Sequence, residues 1–205
     1  KSLQEAIQSG AKNFYLKEFL NSKAKLDLQV IEKAIEICNK KDVKLILSTP
    51  RIIHNMYFEQ YMSFLENVFS LPLDGILVSN LGVFDQVRSM TSIPIYTDFH
   101  LNVANSQSVA FLIEKRAQRI TLSPELTMKQ IKDINSKCNF PLEVLVHGVL
   151  PLMVSRHCIL GSLLGERAQK VCSKPCLKYR ARLKDRKGIS FPIGVDAYCN
   201  MHIFN

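Results

Sequence analysis

Four cysteines crowd into the last quarter of this 205-residue sequence: Cys158, Cys172, Cys176 and Cys199, spaced C-x13-C-x3-C-x22-C. Four thiolates from one segment can close a tetrahedral zinc site or hold an iron–sulfur cluster. Structural zinc normally takes two tight C-x2–4-C pairs, and here only Cys172 and Cys176 form one. One tight pair with two distant partners suits a cluster better, because cluster ligands span a larger object. The plain alternative is four reduced, unligated thiols, two of them filling core space. Cys38 and Cys138 lie on or just after helical stretches and read as packing residues.

The same quarter carries most of the charge. The chain has 27 Lys and Arg against 18 Asp and Glu, a net of +9. Residues 1–150 hold 17 basic against 15 acidic side chains, whereas residues 151–205 hold 10 against 3. Between Arg167 and Lys187, nine basic residues face only Asp185. Within it Arg180, Arg182, Lys184, Arg186 and Lys187 alternate with Ala181, Leu183 and Asp185, a period of two. That pattern fits a solvated edge strand whose charges block edge pairing. It fits equally a ribbon contacting phosphates, and a metal centre nearby favours this second reading, because the ribbon would bring a polyanion to a reactive centre. His157 adjoins Cys158, but sequence neighbours rarely aim at each other, so no nucleophile–base dyad is read there. Neither G-x-S-x-G nor H-E-x-x-H occurs.

The elements that position these residues follow from apolar spacing. Short apolar runs at Asn13–Leu16, Val43–Leu47, Gly75–Val78, Ile93–Tyr96, Gln118–Leu122 and Leu142–Val146 read as buried strands. Between them Leu28–Cys38, Tyr57–Phe69, Leu81–Met90, Ser106–Arg116 and Thr127–Ser136 have helical periodicity, and Ser2–Ser9 reads as a leading helix. Thr127 is an expected N-cap. The alternation predicts an α/β fold, a TIM-barrel-like (β/α) repeat. A complete barrel takes ~250 residues, so an incomplete one lacking its first strand is expected, with an open doubly wound sheet as the alternative. Residues 1–150 form the barrel-like core, and residues 151–205 a cysteine-rich basic segment of the same domain. No apolar run approaches the ~20 residues of a bilayer helix. The chain starts at Lys1 without a leader, which reads as a piece of a longer, cytoplasmic protein.

Function in such folds gathers where strands end. The polar residues there are Ser48, Arg51, Ser79, Asn80, Asp98, His100, Asn102, Ser123, Glu125 and His147. Ser79, Asn80 and Ser123 read first as caps and turn formers. His100, Asn102, Glu125 and His147 are the candidate catalytic residues, because His and Glu are poor caps.

Several stretches resemble the peptidase U32 family. They are Leu145-Val-His147-Gly148-Val-Leu-Pro151-Leu-Met153, Arg156-His157-Cys158, Leu183-Lys-Asp185-Arg186-Lys187-Gly188, Phe191-Pro192, Cys199 and Ile203-Phe204-Asn205. Upstream, Asp74-Gly75-Ile-Leu-Val-Ser79-Asn80-Leu-Gly82, Asn102-Val-Ala-Asn105 and Leu122-Ser123-Pro-Glu125-Leu126 agree. The resemblance implies a TIM-barrel-like domain with a [4Fe–4S] cluster on Cys158, Cys172, Cys176 and Cys199, zinc being the alternative metal. Several branches carry a cysteine just after the H-G motif, where this chain has Pro151; Cys199 is the candidate fourth ligand. The resemblance also implies that Glu125 and His147 face the barrel mouth. It implies an enzyme that hydroxylates an RNA base (tRNA or 23S rRNA) or a ubiquinone precursor without oxygen, prephenate donating the hydroxyl. The family's older label, peptidase or collagenase, is the alternative activity.

Overall fold

The computed structural model describes residues 2–18, 20–22, 26–165 and 172–205. The chain divides into two compact units, residues 1–17 with 27–146 and residues 18–26 with 147–205. Arg167 and Lys170, at the start of the expected basic segment, lie outside the described residues.

The first unit opens with α1 (Ser2–Gln8) and β1 (Asn13–Leu16). It continues α2 (Leu28–Asn39), β2 (Lys44–Ser48), α3 (Asn55–Val68), β3 (Gly75–Val78) and α4 (Leu81–Met90). Then come β4 (Ile95–Thr97), α5 (Ser106–Glu114), β5 (Ala117–Thr121), α6 (Met128–Cys138) and β6 (Leu142–Glu143). Helix α2 buries Ile31, Ala34, Ile35 and Cys38, the stripe its spacing predicts. Its N-cap Asp27 accepts from Val30 N, Asn80 caps α4, and Thr127 with Gln130 forms a full capping box on α6.

The six strands are all parallel and lie in chain order, β1 to β6. A doubly wound sheet reverses its strand order, so that alternative is excluded. Five strand spacings would separate β1 from β6 by about 24 Å in a flat sheet. Instead the Tyr15 hydroxyl of β1 donates to Glu143 Oε2 of β6 at 2.6 Å. The sheet therefore curls into a half-barrel. Register puts Ile46 beside Tyr15 and Gly75, and Tyr96 beside Leu77 and Arg119, on the concave face. Ile76, Val78 and Ile120 are buried on the opposite face.

Boundaries shift where partners end. The last strand stops at Glu143, three residues short of the expected Val146, which is 89 % exposed. Pro94 delays β4 to Ile95, since proline donates no ladder hydrogen bond.

The second unit contains β7 (Pro151–Ser155), α7 (Ile159–Leu164), a 3₁₀ turn (Pro175–Leu177), β8 (Arg182–Lys184), β9 (Ser190–Val195) and β10 (Met201–Phe204). Its strands form an antiparallel sheet ordered β7-β10-β9-β8. Leu160, Ile193, Val195, Met201 and Ile203 make its core, with Cys158 and Cys176 packed against them. Asn21 binds the edge of β9 past the end of β8: its side chain accepts from Val195 N (2.8 Å) and donates to Ile193 O (3.2 Å). Among the described residues, no helix is long and apolar enough to cross a membrane.

Candidate functional site

The four C-terminal cysteines come together around one cavity of about 330 Å³. Each is delivered by a different local device. Cys158 is the N-cap of α7, and its Sγ accepts from Gly161 N at 3.4 Å. Cys172 precedes Lys174, whose backbone N donates to Cys172 Sγ at 3.4 Å. Cys176 sits in the 3₁₀ turn, where it packs against the core. Cys199 stands in the left-handed region at φ +61, an unfavourable place for a residue with a Cβ.

Asp196 holds that loop in shape. Its carboxylate accepts from the backbone N of Tyr198 (3.0 Å) and Asn200 (2.8 Å) and from Asn200 Nδ2 (2.9 Å), and faces His202 Nε2 at 3.3 Å. Burial alone would raise this carboxyl; the His202 and Asn200 hydrogen bonds hold it below the ordinary carboxylate range. Arg156 Nη1 ties the same loop down through Tyr198 O at 2.6 Å.

The donor set suits a polycation. All six cysteines are free thiols. Burial pushes the Cys176 thiol up, and the neighbouring Cys158, Cys199 and Cys172 push it further. Gathered thiolates repel one another unless a metal neutralises them. Gly161 leaves room between two of them, because a Cβ there would stand 3.4 Å from Cys172 Sγ and 3.7 Å from Cys158 Sγ. Yet among the described residues no three His, Cys, Asp or Glu groups are gathered tightly enough to hold a metal ion. His157 turns to Ser162 Oγ (3.3 Å), as expected of a residue that forms no dyad with Cys158.

The basic residues of the expected ribbon are all exposed. Arg182 and Lys184 lie on β8, the edge of the sheet, while Arg186 and Lys187 occupy the β8–β9 turn. Arg180 precedes the strand.

In the first unit, one strand-end group is a network. Asp98 Oδ2 accepts from Ser79 Oγ and pairs with His100 Nδ1, both at 2.6 Å. The His100 and Asp98 side chains are only 3 % and 8 % exposed. Burial would raise the Asp98 carboxyl, but the His100 hydrogen bond and charge, Ser79 and the charge of Lys17 hold it low. An ionised carboxylate only accepts, so Nδ1 of His100 carries the proton. Ser79 therefore bonds to the acid and not to a base, which is not the order of an activated serine nucleophile. Thr49 Oγ1 accepts from Ser79 N (3.1 Å), locking the position.

The remaining candidates are not part of that network's hydrogen bonds. Asn102 is exposed and closes the 3₁₀ turn Phe99–Leu101 in the left-handed region, φ +53, a role that Asn fills well. Glu125 is exposed in the loop after β5, its backbone N on Ser123 Oγ at 3.5 Å. His147 is exposed and belongs to the second unit. Ser48 is buried at the end of β2, and Arg51 offers its carbonyl to Asn80 Nδ2 at 3.4 Å.

A second polar group on the concave face was not anticipated. Arg119 Nη1 reaches Tyr15 Oη (3.3 Å) and Glu143 Oε2 (3.4 Å), and its guanidinium lies 4.5 Å over the Tyr96 ring. The available signal was a charged residue within each of two runs read as buried strands, Arg119 in Gln118–Leu122 and Glu143 in Leu142–Val146.

The sequence matches the profile of Peptidase family U32 across residues 1–204. An uncharacterized protease of Methanocaldococcus jannaschii is 32 % identical over 85 % of this chain and 45 % of its own length. The tRNA hydroxylation protein P of Escherichia coli is 24 % identical over 84 % of the chain and 38 % of itself. A collagenase of Porphyromonas gingivalis is 24 % identical, over 78 % and 42 %. The chain thus spans less than half the length of these relatives. The solved structure of a U32 peptidase aligns with a TM-score of 0.59 at 10 % identity, covering 73 % of this chain and 66 % of that one, a likeness of fold. A match running almost from end to end, on a chain with this half-barrel, establishes that the protein belongs to peptidase family U32.

Proposed function

We propose that this chain is the cluster-bearing part of an enzyme that hydroxylates an RNA base, in tRNA or 23S rRNA, with prephenate as hydroxyl donor. The observation that carries the reading is the convergence of Cys158, Cys172, Cys176 and Cys199 on one cavity within the strongly basic second unit. A single zinc ion would need all four sulfurs within about 2.3 Å of one point. The uneven C-x13-C-x3-C-x22-C spacing, with its one tight pair, favours a [4Fe–4S] group, whose ligands span a larger object. When bound, such a group supplies one-electron redox chemistry.

The chain's own residues have separable tasks. The four cysteines hold the cluster, Gly161 leaves space for it, and Asp196 positions Cys199. Backbone N–H groups of Gly161 and Lys174 donate to two of the sulfurs, contacts of the kind that tune cluster potentials. Arg180, Arg182, Lys184, Arg186 and Lys187 attract the RNA backbone. We read the curled sheet as part of a TIM-type barrel, whose strand ends, with Asp98, His100 and Glu125, form the substrate-facing rim of the first unit. The names of several tRNA hydroxylation relatives support RNA as the substrate class. The peptidase alternative rests on names, because Ser79, which joins the Asp98–His100 pair, bonds to the acid and not to the histidine.

Anaerobically purified protein should be brown and carry about four iron and four sulfide per chain. Cys176→Ser should lose the colour. A colourless preparation loaded with zinc would overturn the reading. RNA from a deletion strain, digested to nucleosides and weighed by mass spectrometry, should lack one hydroxylated nucleoside.

A further inference from the structure

The second unit holds another cavity, of about 590 Å³, that shares the wall residue Cys176 with the cysteine cavity. Its lining joins three kinds of chemistry. Lys178, Arg180 and Arg182 bring positive charge, Tyr179 an aromatic ring, and Leu177 and Ile193 apolar surface. No acidic side chain is among the residues lining it. Among the described residues, no salt bridge engages any of the three cations. Arg182 donates only a long bond, 3.4 Å, to Ser190 O. Tyr179 is 59 % exposed, so its ring is open to a stacking partner.

The size suits one nucleotide, since small-ligand sites start near 300 Å³. An inorganic anion would use the cations and leave the ring idle. An acidic peptide would do the same. A nucleotide uses both: a base has a π-face for Tyr179, and its phosphate takes a planar guanidinium in bidentate fashion. Stacking on an aromatic side chain requires an unpaired base, so the ligand is single-stranded.

We propose that this cavity binds one nucleotide of single-stranded RNA, base on Tyr179 and phosphate on Arg180 and Arg182. The proposal rests on the RNA-hydroxylase reading and deepens it, because Cys176 sets the bound nucleotide beside the cluster centre. Lys184, Arg186 and Lys187 do not line the cavity. They add salt-sensitive attraction without contacting the base.

The test is fluorescence anisotropy of the full, anaerobically purified chain with a short fluorescein-labelled single-stranded oligoribonucleotide, over a salt series. Tyr179→Ala should weaken binding about tenfold at every salt concentration, with the slope of log K against log salt unchanged. Tyr179→Phe should bind like the parent, and a parent-like circular dichroism spectrum and melt of Tyr179→Ala exclude loss of fold as the cause. Arg182→Gln should reduce the slope by about 0.7, one single-strand phosphate contact. Parent-like binding by Tyr179→Ala overturns the proposal, and so does polyglutamate displacing the RNA from the parent as effectively as unlabelled RNA. No turnover is read here. Failure of the cavity would leave iron content and the missing nucleoside to stand, and a chain that loads zinc could still stack RNA on Tyr179.

Discussion

At the residue scale Asp98 ties the strand ends of the first unit together. Its carboxylate is buried and serves Ser79, His100 and the Phe99 backbone N together. Asp98→Asn keeps the shape but removes the charge and forces an amide N–H against one of those donors. Breaking a buried charged network in this way costs about 2–4 kcal/mol, to be read as a lower urea midpoint. The pH dependence has a definite sign. Asp98 titrates below its unfolded value near 3.9, so its stabilisation is fully present above that pH and disappears as pH falls through the folded value. Thermal melts of the parent should therefore drop on acidification below about pH 4, and Asp98→Asn should lose part of that drop. An acid slope identical in the variant would remove Asp98 from the account. The sequence made His100 legible as a strand-end histidine with no capping use. It did not show that Asp98 is the hub, since a lone Asp before a helical turn looks like a cap, and here it is also that, accepting from Phe99 N.

The half-barrel depends on contacts between elements far apart in the chain. Tyr15 and Glu143 join the two edge strands, and the phenol lies in a partly desolvated site beside the Glu143 carboxylate. Those two causes, burial first, push its pKa up to about 12, with Arg119 opposing them. Absorbance titration at alkaline pH should show two late-ionising tyrosines, Tyr15 and the half-buried Tyr198, of which Tyr15→Phe removes one, and the variant should lose about 1 kcal/mol of stability. Gly75 supports the same face. A Cβ there would come within 2.6 Å of the Tyr96 ring, on which Arg119 lies. Gly75→Ala should cost about 1–3 kcal/mol through overpacking and should shift the Arg119 contacts. The six strands and six helices of the first unit were readable because each is a local pattern closed by a cap or turn. The clasp was not, because which edge residues meet depends on curl, a property of the whole sheet. Nor was the antiparallel sheet of the second unit, where Pro192 interrupts β9 and β8 is three exposed residues long. Proline inside a run argues against a strand, and tertiary pairing overrode it.

For the whole molecule, the two units differ in how they are stabilised. The first has a continuous core along six strands and their helices. The second rests, among the described residues, on a cluster of five buried apolar side chains, Leu160, Ile193, Val195, Met201 and Ile203, in a segment of fewer than 70 residues bearing most of the chain's excess charge. Units of that size commonly need a metal or a disulfide to fold, and these cysteines form no disulfide. The proposed cluster would be that staple, since four ligands from α7, the 3₁₀ turn and two loops would be fixed at once. Removing it should then act on one unit. Hydrogen exchange on protein bleached by a chelator and oxidant should show protection lost across residues 147–205, and residues 27–146 should keep theirs. The tethered segment around Asn21 should open with the second unit, because its hydrogen bonds are to β9. Equal loss in both units would mean that the cluster stabilises the whole chain. Unchanged protection in the second unit would mean that its small core suffices and that the cysteines serve chemistry alone.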